Sequence, residues 1–129
     1  EPDKSIDVYS FAVLTLEILA GTLKMNGKPT TNAFNKKILK GKRFDIPETV
    51  PKCFVKMIND CWSGNPSQRW TMDKVVQKMA SGKVVLPETD MDAYNEYVQD
   101  LMNKLDTILK SEEEEEEEEE VEATPEFNF

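Results

Sequence analysis

Histidine is missing altogether from these 129 residues, and cysteine and glycine are scarce, at two and five. Without histidine the chain lacks the side chain most often used as a general base near neutral pH. It also cannot build a zinc site of the cysteine–histidine kind, since two separated cysteines supply too few ligands. Cys53 and Cys61 fall in one stretch of helical pattern, where eight positions span about 12 Å of axial rise, too far for a disulfide. Reduced thiols, with no basic start followed by an apolar leader, make a cytoplasmic or nuclear location the expectation. No apolar run reaches the roughly 20 residues that a membrane-spanning helix needs, so no membrane partner is expected. The chain starts at Glu1 rather than Met, and reads as a piece of something longer.

Basic residues are absent from one region only. Positions 1–111 hold 16 basic and 14 acidic residues, a net +2, whereas 112–129 hold 11 acidic and no basic ones. The overall charge of −9 therefore describes a tail and not the body. A single-sign block of this kind reads as a solvated, disordered appendage, with docking to a basic partner as the alternative. Lys36, Lys37, Lys40, Lys42 and Arg43 form a basic run, but no aromatic residues are interleaved for stacking on bases. A solvated face is expected there and no nucleic-acid partner.

What the chain has in quantity is helical pattern. Ile6 to Ala20 is apolar on nearly all sides and stops at Gly21, which describes a buried central helix too short for a bilayer. Its polar residues Asp7, Ser10 and Glu17 share one side. Residues 21–31 read as a loop punctuated by Gly27 and Pro29. A short helix follows from an Asn32 cap to Gly41, then an extended stretch from Phe44 to Val50. Pro51 opens a helix carrying Phe54, Ile58 and Cys61, which Gly64 and Pro66 end. Thr71 caps another, with Met72, Val75, Val76 and Met79 facing inward. No alternation is long enough to predict a strand. After Pro87, residues 90–110 place Met91, Tyr94, Val98, Leu101, Leu105 and Ile108 at spacings of three and four. Fewer than three heptads, without flanking charge pairs, favour docking on the body over a coiled-coil dimer.

Three segments in order resemble the second half of a protein kinase catalytic domain. "DVYSFAVLTLEILAG", Asp7 to Gly21, looks like the buried F helix of the C-terminal lobe. "GKRFDIPETVP", Gly41 to Pro51, looks like the connection between helices G and H. "CWSGNPSQRWTMDKVVQKM", Cys61 to Met79, looks like the end of helix H, a loop bearing a buried arginine, and helix I. The Cys-Trp pair with Asn-Pro-Ser-Gln-Arg is closest in pattern to the tyrosine kinases and the tyrosine-kinase-like group. Two positions depart from the family pattern: Ala12 stands where the family has glycine, and Trp70 where it has proline.

The resemblance implies a mainly α fold. Residues 1–82 would be a partial kinase C-lobe with helices F, G, H and I, 83–110 a linker and extra amphipathic helix, and 111–129 the acidic tail. Asp7 matches the helix F aspartate that accepts hydrogen bonds from the catalytic-loop backbone, and Arg69 the arginine that pairs with a glutamate ending the activation segment. ATP and magnesium are implied for the parent kinase, yet the glycine-rich loop, strand lysine, catalytic loop and Asp-Phe-Gly motif that handle them have no counterpart among these residues. The chain itself is therefore expected to hold no cofactor and no catalytic residue. Its expected partner is the N-terminal part of a kinase domain, with a protein partner through 90–110 as a further candidate. A noncatalytic kinase-like interaction module is the alternative function. Sedimentation distinguishes the two readings of residues 90–110: docking predicts a monomer at all concentrations, and a coiled coil predicts a concentration-dependent dimer.

Overall fold

The computed structural model describes residues 3–123. The chain divides into two compact units, one up to Thr89 and one from Asp90. The first is mainly helical, in the order α1 (Ser5–Ala20), a two-strand hairpin of β1 (Lys24–Met25) and β2 (Lys28–Pro29), α2 (Phe34–Leu39), α3 (Lys52–Cys61), a 3₁₀ turn at Pro66–Gln68, and α4 (Met72–Ala80). None of the helices among the described residues is long and apolar enough to cross a membrane.

The core of this unit is the packing of α1 on α3. Val8, Ala12 and Leu16 recur every four residues and so fall on one stripe of α1; all three are buried. They meet Phe54, Met57, Ile58 and Cys61 of α3, with Val50, Trp62, Val75 and Val84 closing the cluster. Leu16, Met57, Ile58 and Cys61 are fully enclosed. Burial, helped by the neighbouring Asp60 charge, pushes the Cys61 thiol up to about 11, so at neutral pH it behaves as a small apolar side chain. Ala12 is 1% exposed, and its single methyl lets the two helix backbones approach.

Several expectations are corrected. The pattern of Ile6 to Ala20 predicts burial on all sides, yet Ile6, Leu14 and Ile18 are 59, 57 and 72% exposed. α1 is apolar all round, but within this unit one stripe is buried, Tyr9, Phe11, Val13 and Leu19 beside it are partly covered, and the side carrying Ile6, Leu14 and Ile18 is open. In α4, Val75 is buried, whereas Met72 and Val76 remain 39 and 46% exposed. The loop after Gly21 contains a tiny antiparallel hairpin, Met25 opposite Lys28. Asn26 and Gly27 turn it with φ of 52° and 75°, the paired positive values that an Asn-Gly turn supplies. Their two N–H groups donate to the Asp45 carboxylate at 3.0 and 2.7 Å. Asn32 does not cap α2 through its side chain; α2 begins at Phe34 after an uncapped Ala33. Thr71 does cap α4, its hydroxyl accepting from the Lys74 N–H at 3.2 Å.

The second unit is α5 (Met91–Ala123), opened by Asp90, whose carboxylate accepts from the N–H groups of Asp92 and Ala93 at 3.1 Å each. The helix runs thirteen residues further than the expected end at Lys110, through the glutamate run to Ala123. Glutamate is a good helix former, and propagation from an established helix is far cheaper than nucleation. The remainder of the predicted tail, 124–129, lies outside the described residues.

The two sides of α1 respond differently to truncation. Leu16→Ala is expected to lower stability by about 2–5 kcal/mol, as for a fully buried leucine, whereas Ile18→Ala should cost under about 1 kcal/mol because little area leaves water there. Urea unfolding followed by circular dichroism measures both, and equal costs would contradict the one-sided packing.

Candidate functional site

The turn from Trp62 to Thr71 returns the chain from the end of α3 to the start of α1. Asn65 organises its first half: its side chain accepts from the N–H and hydroxyl of Ser67 at 3.1 and 2.8 Å, which frees Pro66 to open the 3₁₀ turn. The second half is tied to α3 by the Trp70 N–H, which donates to the Asp60 carbonyl at 3.1 Å. A proline at this position could not make that bond, so the departure from the family pattern adds a tether. The indole is half-buried against the core, and the ammonium groups of Lys56, Lys74 and Lys78 lie 5.9, 5.1 and 6.0 Å from its ring centre. Lys56 is also paired to Asp60 at 2.8 Å.

Arg69 leaves this turn towards α1. Its Nε donates to the Ser63 carbonyl at 2.9 Å and its Nη1 to the Ser5 carbonyl at 3.1 Å. The guanidinium lies over the Tyr9 ring, 5.0 Å from its centre. The side chain is half-buried rather than buried. Asp7, in the first turn of α1, is exposed, and among the described residues no hydrogen bond or ion pair reaches its carboxylate. The two residues singled out from the sequence nevertheless meet at one place, since both line a cleft of about 640 Å³ with Lys4, Val8, Trp70 and Asp73. The Asp3 carboxyl beside this cleft is held below its usual value by the hydroxyl and N–H of Ser5, and to a lesser degree by the Arg69 charge.

Two contributors were not singled out from the sequence. Tyr9 is the ring beneath Arg69, and Arg43, read as part of a solvated basic run, lies over the same ring at 5.3 Å. Its position two residues after Gly41, inside the segment that resembles the G–H connection, was the available signal.

Among the described residues no group of three histidine, cysteine, aspartate or glutamate side chains could hold a metal ion, and no glycine-rich turn borders the cleft. The cleft brings together a carboxylate, Asp7, a guanidinium, Arg69, and the starts of α1 and α4.

The family model described as "Protein tyrosine and serine/threonine kinase" matches residues 3–79. A light-sensor protein kinase of Ceratodon purpureus is 31% identical over 80 residues, covering 62% of this chain and 6% of that protein. A dual specificity protein kinase of Dictyostelium discoideum is 30% identical over 81 residues, covering 63% and 6%. The mast/stem cell growth factor receptor kita of Danio rerio is 32% identical over 74 residues, covering 57% and 8%. The chain thus spans less than a tenth of the length of these curated relatives. No solved structure matches it significantly.

Replacing Trp70 by the family's residue tests the tether. Trp70→Pro removes a backbone hydrogen bond and the ring under three lysines, and is expected to lower stability by about 1–3 kcal/mol. Trp70→Phe keeps the N–H and should cost less. Thermal unfolding of the two variants measures the difference, and a stabilised Trp70→Pro chain would contradict it.

Proposed function

We propose, from the premise that this chain belongs to the protein tyrosine and serine/threonine kinase family, that it forms the base of a kinase C-terminal lobe: the scaffold beneath a phosphotransfer site and not the site itself. The whole protein would transfer the γ-phosphate of ATP to a serine, threonine or tyrosine hydroxyl of a protein. ATP and magnesium would be held by residues that precede this segment in the kinase pattern.

The observation that carries this reading is the uncovered side of α1. A helix with Ile6, Leu14 and Ile18 more than half exposed, and a lone carboxylate at its start facing a cleft, is arranged to receive another segment. In the kinase pattern that segment is the catalytic loop, whose backbone N–H groups would donate to Asp7. Arg69 would pair with a glutamate from the end of the activation segment. Both residues act by positioning: phosphoryl transfer depends on holding nucleophile, phosphate and metal in line, and a loop is only as well placed as the helix that supports it. A noncatalytic interaction module is the second reading, favoured by the stripe on α5 where Leu101, Leu105 and Ile108 are 49, 40 and 53% exposed.

A phosphotransfer assay separates these. With ATP, magnesium and a protein substrate, this chain alone is expected to give no turnover above buffer. A longer chain carrying the preceding kinase segment is expected to be active, and Asp7→Asn should lower its kcat at least tenfold by loosening the loop. Magnesium-dependent turnover by this chain alone would overturn the scaffold reading, and an inactive longer chain would favour the module.

A further inference from the structure

Arg43, after α2, and Arg69, after α3, are far apart in sequence, and the turn after α3 holds both. The Trp62 carbonyl accepts from Arg43 Nε at 2.8 Å, and the next carbonyl, Ser63, accepts from Arg69 Nε at 2.9 Å. The Nη1 groups are also engaged, that of Arg43 by the carbonyls of Lys42 and Ile38 at 2.8 and 3.2 Å and that of Arg69 by the Ser5 carbonyl. Both guanidinium groups rest over Tyr9. Both line a pocket of about 300 Å³ whose other walls are Ile6, Tyr9, Ile38, Leu39 and Gly64.

Two half-buried cations on one aromatic ring repel each other, and among the described residues neither has a carboxylate within ion-pairing distance. On each, the Nη2 group is the donor left without an acceptor among the described residues. Gly64 borders one of them, since a Cβ there would lie in ordinary contact with Arg43 Nη2, at 3.8 Å. Guanidinium groups with fixed planes and free N–H bonds are matched to oxyanions, which accept several hydrogen bonds at once.

The geometry points to a two-arginine oxyanion site, in which Arg43 and Arg69 together bind one carboxylate or phosphate over the Tyr9 ring. This extends the reading of Arg69 given above, which assigns an acidic partner to that residue alone; the added ligand is Arg43. Tyr9 sets the spacing of the pair, and the carbonyls of Trp62 and Ser63 fix their planes. The anion lowers the repulsion between the two cations, so binding it also ties α1 to the turn after α3.

The test uses this chain, labelled with ¹⁵N and observed through the arginine Nε–H signals in NMR. Acetate and inorganic phosphate are added separately at constant ionic strength, as probes of the carboxylate and phosphate forms of the ligand. The expected result is that the Arg43 and Arg69 signals shift together along one saturation curve, with the stronger of the two probes identifying the form preferred. Arg43→Gln should weaken binding at least tenfold, and Arg43→Lys, which keeps the charge but loses the fork, should recover only part of it. Saturable shifts at Arg69 alone, or binding unchanged in Arg43→Gln, would overturn the pair while leaving the single-arginine reading intact. No saturable shift at either residue would overturn both. The observation on the unmodified chain does not depend on the variants folding.

Discussion

The packing of one stripe of α1 on α3 is the interaction on which the first unit depends. Val8, Ala12 and Leu16 put apolar surface against Met57, Ile58 and Cys61, and the smallness of Ala12 sets how closely the backbones can approach. Once α3 is seated there, its C-terminal turn has to pass the start of α1. That passage brings Ser63 and Arg69 to Ser5 and places Trp70 over Asp60. The cleft follows from that contact, being walled by the start of α1 on one side and the turn and start of α4 on the other, and the arginine pocket adds the end of α2 and Arg43 to α1 and the turn.

The same helix carries an imbalance. A side chain that is apolar and more than half exposed contributes little to stability, and one at about 60–70% exposure is unremarkable alone. Three of them, from the first turn to the last of a helix whose opposite stripe is buried, leave one side of a central element uncovered within this unit. The polar groups follow the same logic. Arg69 is held on two of its three nitrogens by backbone carbonyls, while the unbonded Asp7 carboxylate opens on the cleft.

Much of the fold could be read from the sequence, and the reasons for the exceptions are physical. Helices α1, α3 and α4 were marked by periodicity and by Gly21, Pro51 and Thr71 at their ends, and the kinase-like segments fixed their order. Burial was misjudged wherever it depended on what lies opposite, because a pattern records which surface is apolar and not which surface is covered; Ile18, Met72 and Val76 are the examples. The hairpin escaped notice because two-residue strands have no periodicity, although Asn26-Gly27 is a turn signal in its own right and Asp45, its clasp, is distant in sequence. The glutamate run was read from its charge, which argues against order, while its helical propensity and its continuity with α5 argue for it. For the site, Asp7 and Arg69 were legible only through family resemblance, and the structure places both at one cleft. Arg43 and Tyr9 were hidden because stacking of a guanidinium on a ring 34 residues away leaves no local trace.

In the proposed scaffold, a preceding kinase segment covers the exposed face of α1. Amide hydrogen exchange along α1, compared between this chain and a longer chain that carries that segment, measures this, since covering an apolar face raises the free energy of opening the helix beneath it. The α1 amides are expected to exchange at least tenfold more slowly in the longer chain while those of α5 are unchanged. Equal α1 exchange rates in the two chains would contradict it.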